Sequence, residues 1–168
     1  MAERAVVLVG HGGVPSDFPR ADLTRLKALE GRRAATGGEP SDEERALDAK
    51  IRTWPRSPAT DPYKAGFEKL AAAIAPKLGG AALYVAYNEF CAPTLDHAVE
   101  RAIAGGAREV TVVPSMITPG GVHSEVEIPH TLDALRPRFP EVTIRYAWPF
   151  DLEIVGEMLA AHVQRAGA

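Results

Sequence analysis

Apolar residues along the chain follow two periodicities. Four short runs, Ala5 to Val9, Ala82 to Tyr87, Val110 to Pro114 and Val142 to Ala147, have strand length, and the first three are apolar at almost every position. Such runs predict strands buried on both faces. Between and after them the spacing turns helical. The segment Tyr63 to Leu78 puts Phe67, Leu70, Ala71, Ile74 and Leu78 on one stripe, and Pro93 to Ala104 puts Leu95, Ala98, Val99, Ala102 and Ile103 on another. Leu132, Leu135 and Phe139 make a third stripe, and Leu152 to Val163 a fourth. Gly105-Gly106 and Pro140 stand where the second and third helices should stop.

Strands that alternate with helices predict a parallel sheet, because a parallel connection needs a crossover of about a dozen residues or more. The expected fold is therefore α/β: a flavodoxin-like three-layer sandwich around a four-stranded parallel sheet. Residues 1–168 read as a single domain with one irregularity, an inserted helical segment at about 14–62 after the first strand. A strand-to-helix loop ordinarily has about 2–6 residues, so this stretch must hold structure of its own. Leu23, Leu26 and Leu29 predict a short helix, and Ser41 to Ile51 a second one, with Ser41 and Glu44 at capping-box spacing. The proline-rich RTWPRSPATDPYKAG closes the insert with Trp54 as its anchor. An insert at this position lies over the mouth of the sheet, as a lid, a dimer contact or a peripheral decoration.

Composition narrows the chemistry. A formal charge of -3 and a sequence pI near 6.0 leave no basic footprint, so no nucleic-acid partner is expected. Cys91 is the sole cysteine, which excludes an intramolecular disulfide and a thiolate zinc cluster. Any metal must rest on histidine and carboxylate. The first apolar run, AVVLVG, is too brief for a signal sequence or a membrane span, so a cytoplasmic protein with no membrane partner is expected.

In an open parallel sheet, ligands bind outside the carboxyl ends of the strands. His11 follows the first strand in VLVGHGG, Glu89 follows the second in LYVAYNE, and His123 lies in the loop after the third, in VVPSMITPGGVHSE. Two imidazoles and a carboxylate on one rim suit a divalent first-row metal, and Gly12, Gly13, Gly120 and Gly121 let backbone approach a bulky ligand. Each residue also has an ordinary use: His11 can bond the backbone of its turn, Glu89 can be a solvated loop carboxylate, and His123 can serve the next helix start. His97, His130 and His162 read as surface residues, and Cys91 as a small buried apolar group. Ser124 and Glu127 have capping-box spacing, which assigns Glu127 to a helix start. No phosphate loop, complete dinucleotide fingerprint or G-x-S-x-G elbow occurs, so nucleotide binding, serine hydrolysis and a tightly bound organic cofactor are not expected.

The segments VLVGHGG, NEFCAPTL, GAREVTVVPSMITPGGVH and HSEVEIP, in this order and spacing, resemble the sirohydrochlorin chelatases of the short cobaltochelatase type. These belong to the class II chelatases that include protoporphyrin ferrochelatase. The resemblance implies insertion of Co²⁺ or Fe²⁺, as substrate, into a tetrapyrrole such as sirohydrochlorin on the route to cobalamin or sirohaem. It implies His11 and His123 as metal-binding and catalytic histidines, Glu89 as the acid beside them, and assembly as a homodimer or a fused two-domain chain. Members usually carry serine where this chain has Gly13, aspartate where it has Glu127, and no long insert. The resemblance also brings a substrate with eight carboxylates, for which Arg20, Arg32, Arg33 and Arg56 of the insert are candidate partners, against their reading as a solvated helix surface. The alternative function is a non-catalytic metal or tetrapyrrole carrier of the same fold, and a third class is a hydrolase or phosphoryl-transfer enzyme that uses His11. Cobalt, iron and nickel all accept imidazole.

An imidazole ligates only in its neutral form, so Co²⁺ uptake by such a site is expected to fall as the pH drops below about 6.5. Co²⁺ titration between about pH 5 and 8 measures this, and uptake that stays flat into acid would rule out histidine ligation.

Overall fold

The computed structural model describes residues 3–167. Four parallel strands, β1 (Arg4–Gly10), β2 (Ala82–Tyr87), β3 (Glu109–Pro114) and β4 (Thr143–Tyr146), form one sheet in the order β2-β1-β3-β4. This is the flavodoxin-like order without its last strand. Register sets what happens at the carboxyl rim. Gly10 lies opposite Tyr87, and Val9 lies opposite Pro114, so β1, β2 and β3 finish at nearly the same level. The residues that follow them are consequently delivered side by side.

The described residues also form six α-helices: α1 (Arg20–Thr36), α2 (Asp42–Arg52), α3 (Pro62–Ile74), α4 (Leu95–Ala104), α5 (Ile128–Leu135) and α6 (Leu152–Ala166). The stripes predicted from the sequence decide which face each one covers. Leu95, Ala98, Val99 and Ala102 of α4 and Ile128, Leu132 and Leu135 of α5 pack with Ala5, Val7, Val9, Val110, Val112 and Ile144. Alternate residues of the same strands point the other way, where Phe67, Ala71 and Ile74 of α3 meet Leu8, Leu83, Val85 and Tyr87. The stripe at Leu152 to Val163 does form a helix, α6, capped by Asp151, yet none of its residues is buried.

The insert contains both expected helices, α1 being longer than a short one at 17 residues. Ser41 caps α2 by accepting from the Glu44 amide at 3.1 Å. The Glu44 side chain does not complete the capping box; it is buried and accepts from Arg33 Nε at 2.8 Å. Leu26 of α1 and Ile51 of α2 cluster with Phe18 and with Phe90, the residue just beyond the β2 rim. The insert thus supports the Asn88–Cys91 turn. Arg52 donates to the carbonyls of Cys91 and Asn88 at 3.0 and 3.3 Å.

Arg56 is the tightest of these ties, and it corrects the expectation that it could pair with a substrate carboxylate. Its side chain is only 7% exposed and is ion-paired with Asp61, which is buried and also caps α3. The same guanidinium donates to the carbonyls of Gly13 at 2.8 Å and Ile51 at 2.9 Å, and to that of Phe90. Arg33 is likewise engaged, with Glu44. A buried pair that loses one partner leaves the other charge uncompensated, which costs about 3–5 kcal/mol. Arg56→Ala is thus expected to lower Tm by roughly 10 °C in a thermal melt followed by circular dichroism, and Arg56→Lys, which lacks the planar fork, is expected to recover little of it. A lysine variant as stable as the parent would show that charge alone is what matters there.

Candidate metal centre

His11 leaves β1 at Gly10, and Gly12 adopts a φ of 98°. A Cβ at Gly12 would lie 1.9 Å from the Glu89 carbonyl oxygen, so only glycine allows the two turns to touch. Their backbones are hydrogen-bonded as well: the Asn88 amide donates to Gly10 O at 2.9 Å and the Glu89 amide to His11 O at 2.8 Å. Phe90, next in the chain, has a φ of 56°, a left-handed conformation unusual for an aromatic residue. That turn aims Glu89 at the rim while Phe90 is buried under the insert. His123 arrives from β3 at the start of a wide π-helical turn, His123–Glu127, that feeds directly into α5.

These three segments bring His11, Glu89 and His123 together. One ligating atom from each lies within 4.8 Å of the other two, and all three side chains are partly exposed. The imidazole rings are 4.7 Å apart, nearly perpendicular at 80°. Nδ1 of His11 sits 2.8 Å from Gly12 O, which makes it the donor and leaves Nε2 with its lone pair. Nδ1 of His123 sits 2.7 Å from Glu127 Oε2. An ionised carboxylate only accepts, so the tautomer that donates Nδ1–H to Glu127 carries its lone pair on Nε2, whereas Asn88 Nδ2, also 2.7 Å from Nδ1, favours the other tautomer.

Glu127 is the residue the sequence reasoning missed, and the capping-box assignment is corrected here. Ser124 is buried and makes no cap bond; Glu127 turns back to His123 and also accepts from Asn88 Nδ2. Burial pushes the Glu127 carboxyl up, but the hydrogen bonds from His123 and Asn88 and the nearby imidazoles outweigh it, and the net shift is downward. The signal was present in the four-residue spacing of His123 and Glu127, which sets the two on one side of a helical turn. Lys27 of α1 adds a second unforeseen contact, with Nζ 3.8 Å from Glu89 Oε2 and 4.3 Å from the Phe90 ring centroid.

The remaining candidates lie apart from this group. His97, His130 and His162 are exposed, and Cys91 is buried, its thiol pushed up by desolvation. Beside His11 a cleft of about 540 Å³ opens along Tyr63, Phe67, Leu70, Ser115 and Met116. Tyr63 also receives the His11 amide on its hydroxyl at 2.7 Å, which fixes one wall of the cleft to the rim. Another cleft, of about 390 Å³, opens over Leu83, Val85 and Arg101, away from the three donors.

The family profile CbiX matches residues 59–166. The chain belongs to the CbiX family. Within it, the chain is 32% identical over 82 residues to the sirohydrochlorin cobaltochelatase of Priestia megaterium, a stretch that covers 48% of this chain and 26% of that protein. The fold matches a crystal structure of a cobalamin (vitamin B12) biosynthesis CbiX protein from Marinobacter aquaeolei VT8, at 21% identity, a TM-score of 0.54 and 98% of both chains. It also matches SirB from Bacillus subtilis with Fe³⁺, at 20% identity and a TM-score of 0.52, covering 92% of this chain but 44% of that one. The chain thus spans less than half of SirB, and its match spans about a quarter of the curated relative.

A carboxylate that orients a metal-binding imidazole typically contributes 10–100-fold in affinity. Glu127→Ala is expected to weaken Co²⁺ binding by about that factor in isothermal titration, with Glu127→Gln in between. Unchanged affinity in a folded alanine variant would reduce Glu127 to a bystander.

Proposed function

We propose that this protein inserts Co²⁺ or Fe²⁺ into sirohydrochlorin or a closely related tetrapyrrole, acting as a cytoplasmic homodimer in cobalamin or sirohaem synthesis. The observation that carries this reading is the joining of two features at His11: an open set of three donors and a mainly apolar cleft of about 540 Å³. Membership of the CbiX family supports it. So does the cobaltochelatase named among the relatives.

Metal insertion exchanges one divalent ion for two pyrrole N–H protons, so the site needs ligands for the ion and a base for the protons. His11 presents an Nε2 lone pair because its Nδ1 donates to Gly12 O, and His123 does the same in the tautomer that donates Nδ1–H to Glu127. Glu89 supplies the oxygen donor. In this mechanism the ion is taken up by the three residues at the rim, and the ring enters the cleft between Tyr63 and Met116. As pyrrole nitrogens replace the imidazoles on the metal, each released imidazole is free to accept a proton, and Glu127 stabilises the positive charge that then forms on His123. His123 is the principal ligand and base. His11, held more closely by its turn, is its partner. The metal is substrate and product component, so its choice follows supply as well as ligand set.

The test is an absorption assay of sirohydrochlorin with Co²⁺ under limiting protein. Repeated turnover is expected, whereas a carrier would show binding that saturates at the protein concentration. His123→Ala should lower the insertion rate by about 10²–10⁴-fold, the usual contribution of a positioned base, with an unchanged far-ultraviolet circular dichroism spectrum. Near-parental turnover by the folded variant would remove His123 from the mechanism.

A further inference from the structure

Leu26 of α1 is fully buried in the core of the insert, and that burial decides where its neighbour goes. Lys27 stands about 100° further around the helix, and its half-open side chain reaches over the rim to the donor set. Its Nζ lies 3.8 Å from Glu89 Oε2, 2.9 Å from Glu30 Oε2 and 4.3 Å from the centroid of the Phe90 ring. Two of these partners are fixed whatever happens at the donors. Glu30 is three residues along the same helix and so stays on the same side of it as Lys27. Phe90 is held by packing among Phe18, Leu26 and Ile51.

Folding stability does not account for this arrangement, because ion pairs between side chains as open as these contribute little and are screened by salt. Its weight falls on the donors. A ligating imidazole is neutral, so Glu89 is the sole anion among the three donors, and an ammonium already stands beside it. The carboxylate of Glu127 is engaged with His123 and Asn88. A first-row metal binds a carboxylate oxygen at about 2.1 Å, so an ion held by Oε2 of Glu89 stands no farther than about 6 Å from the Lys27 ammonium.

We infer that Lys27 sets how tightly this centre holds a divalent ion: it is a resident cation at Glu89 that an arriving metal displaces onto Glu30 and the face of Phe90. The inference rests on the reading of His11, Glu89 and His123 as a metal centre. Two berths lie within reach of the same side chain, a carboxylate and an aromatic face, so the displaced ammonium keeps favourable partners. The ion therefore meets a limited resistance rather than a block. A unit charge about 6 Å from a divalent ion in solvent-like surroundings lowers affinity by roughly tenfold, and screening at physiological salt cuts that to about threefold. Lys27 is a positioning residue that never ligates the metal. Through it the insert sets affinity without supplying a donor.

Isothermal titration with Co²⁺ alone, at one fixed pH and two salt concentrations, reads the effect with no tetrapyrrole present. Lys27→Gln is expected to bind Co²⁺ about 3–10-fold more tightly than the parent at about 0.05 M NaCl. The gap should shrink below about twofold at about 1 M, where charges several ångströms apart are screened. Lys27→Arg keeps the charge and should stay within about twofold of the parent. Glu30→Gln removes one berth, so it should weaken binding in the parent and do little in the Lys27→Gln background. Melting temperatures of these surface variants should lie within about 2 °C of the parent. Equal affinity of Lys27→Gln and parent, a gap undiminished in high salt, or an arginine variant as tight as the glutamine one would each overturn the inference. Those outcomes leave the chelatase proposal untouched, which fails instead if a parent that binds Co²⁺ never turns sirohydrochlorin over. A parent that takes up no Co²⁺ removes the metal centre and both readings with it.

Discussion

One guanidinium holds the rim together. Arg56 reaches the Gly13 carbonyl after β1, the Phe90 carbonyl after β2, the Ile51 carbonyl at the end of α2 and the Asp61 carboxylate at the start of α3. A buried charge survives only where it is paired and hydrogen-bonded, so these four segments cannot drift independently without stranding it. Phe90 shows what the restraint achieves. Its left-handed backbone costs of order 1–3 kcal/mol, and the Arg56 bond to its carbonyl, with the packing of its ring among Phe18, Leu26 and Ile51, offsets that strain. Glu89 is thereby aimed by the insert as much as by the strand that precedes it.

The donors were legible in the sequence because two rules that depend only on chain order located them. Apolar runs marked the strands, and the carboxyl-end rule put His11, Glu89 and His123 on one rim; register then did the rest, with Gly10, Tyr87 and Pro114 at one level. Glu127 was only half legible, since S-x-x-E and H-x-x-x-E overlap in the same five residues and only the conformation of the turn chooses between them. Arg56 was misjudged for a different reason. It lies in a proline-rich, polar stretch that reads as a solvated connector, and its burial comes from partners up to 43 residues away that no local pattern announces. The stripe of α6 was legible as a helix face, but what covers it is not written in the periodicity of one chain.

Under the proposed function, the donors suit a metal in transit rather than a metal in residence. A closed tetrahedral set would hold an ion as a structural zinc site does, whereas three donors on an accessible rim leave positions open for an incoming ligand. Two further contacts push in opposite directions. By accepting from Nδ1, Glu127 would strengthen His123 as a donor, and Lys27, 3.8 Å from Glu89, would compete with an ion for the carboxylate. The lysine contact is exposed and screened, so it weakens the oxygen donor without silencing it. Under the proposed function, such a site would hold the ion more through His123 than through Glu89. Since Lys27 belongs to α1 and Phe90 beneath it to the β2 rim, the insert that steadies Glu89 also sets a cation beside its carboxylate.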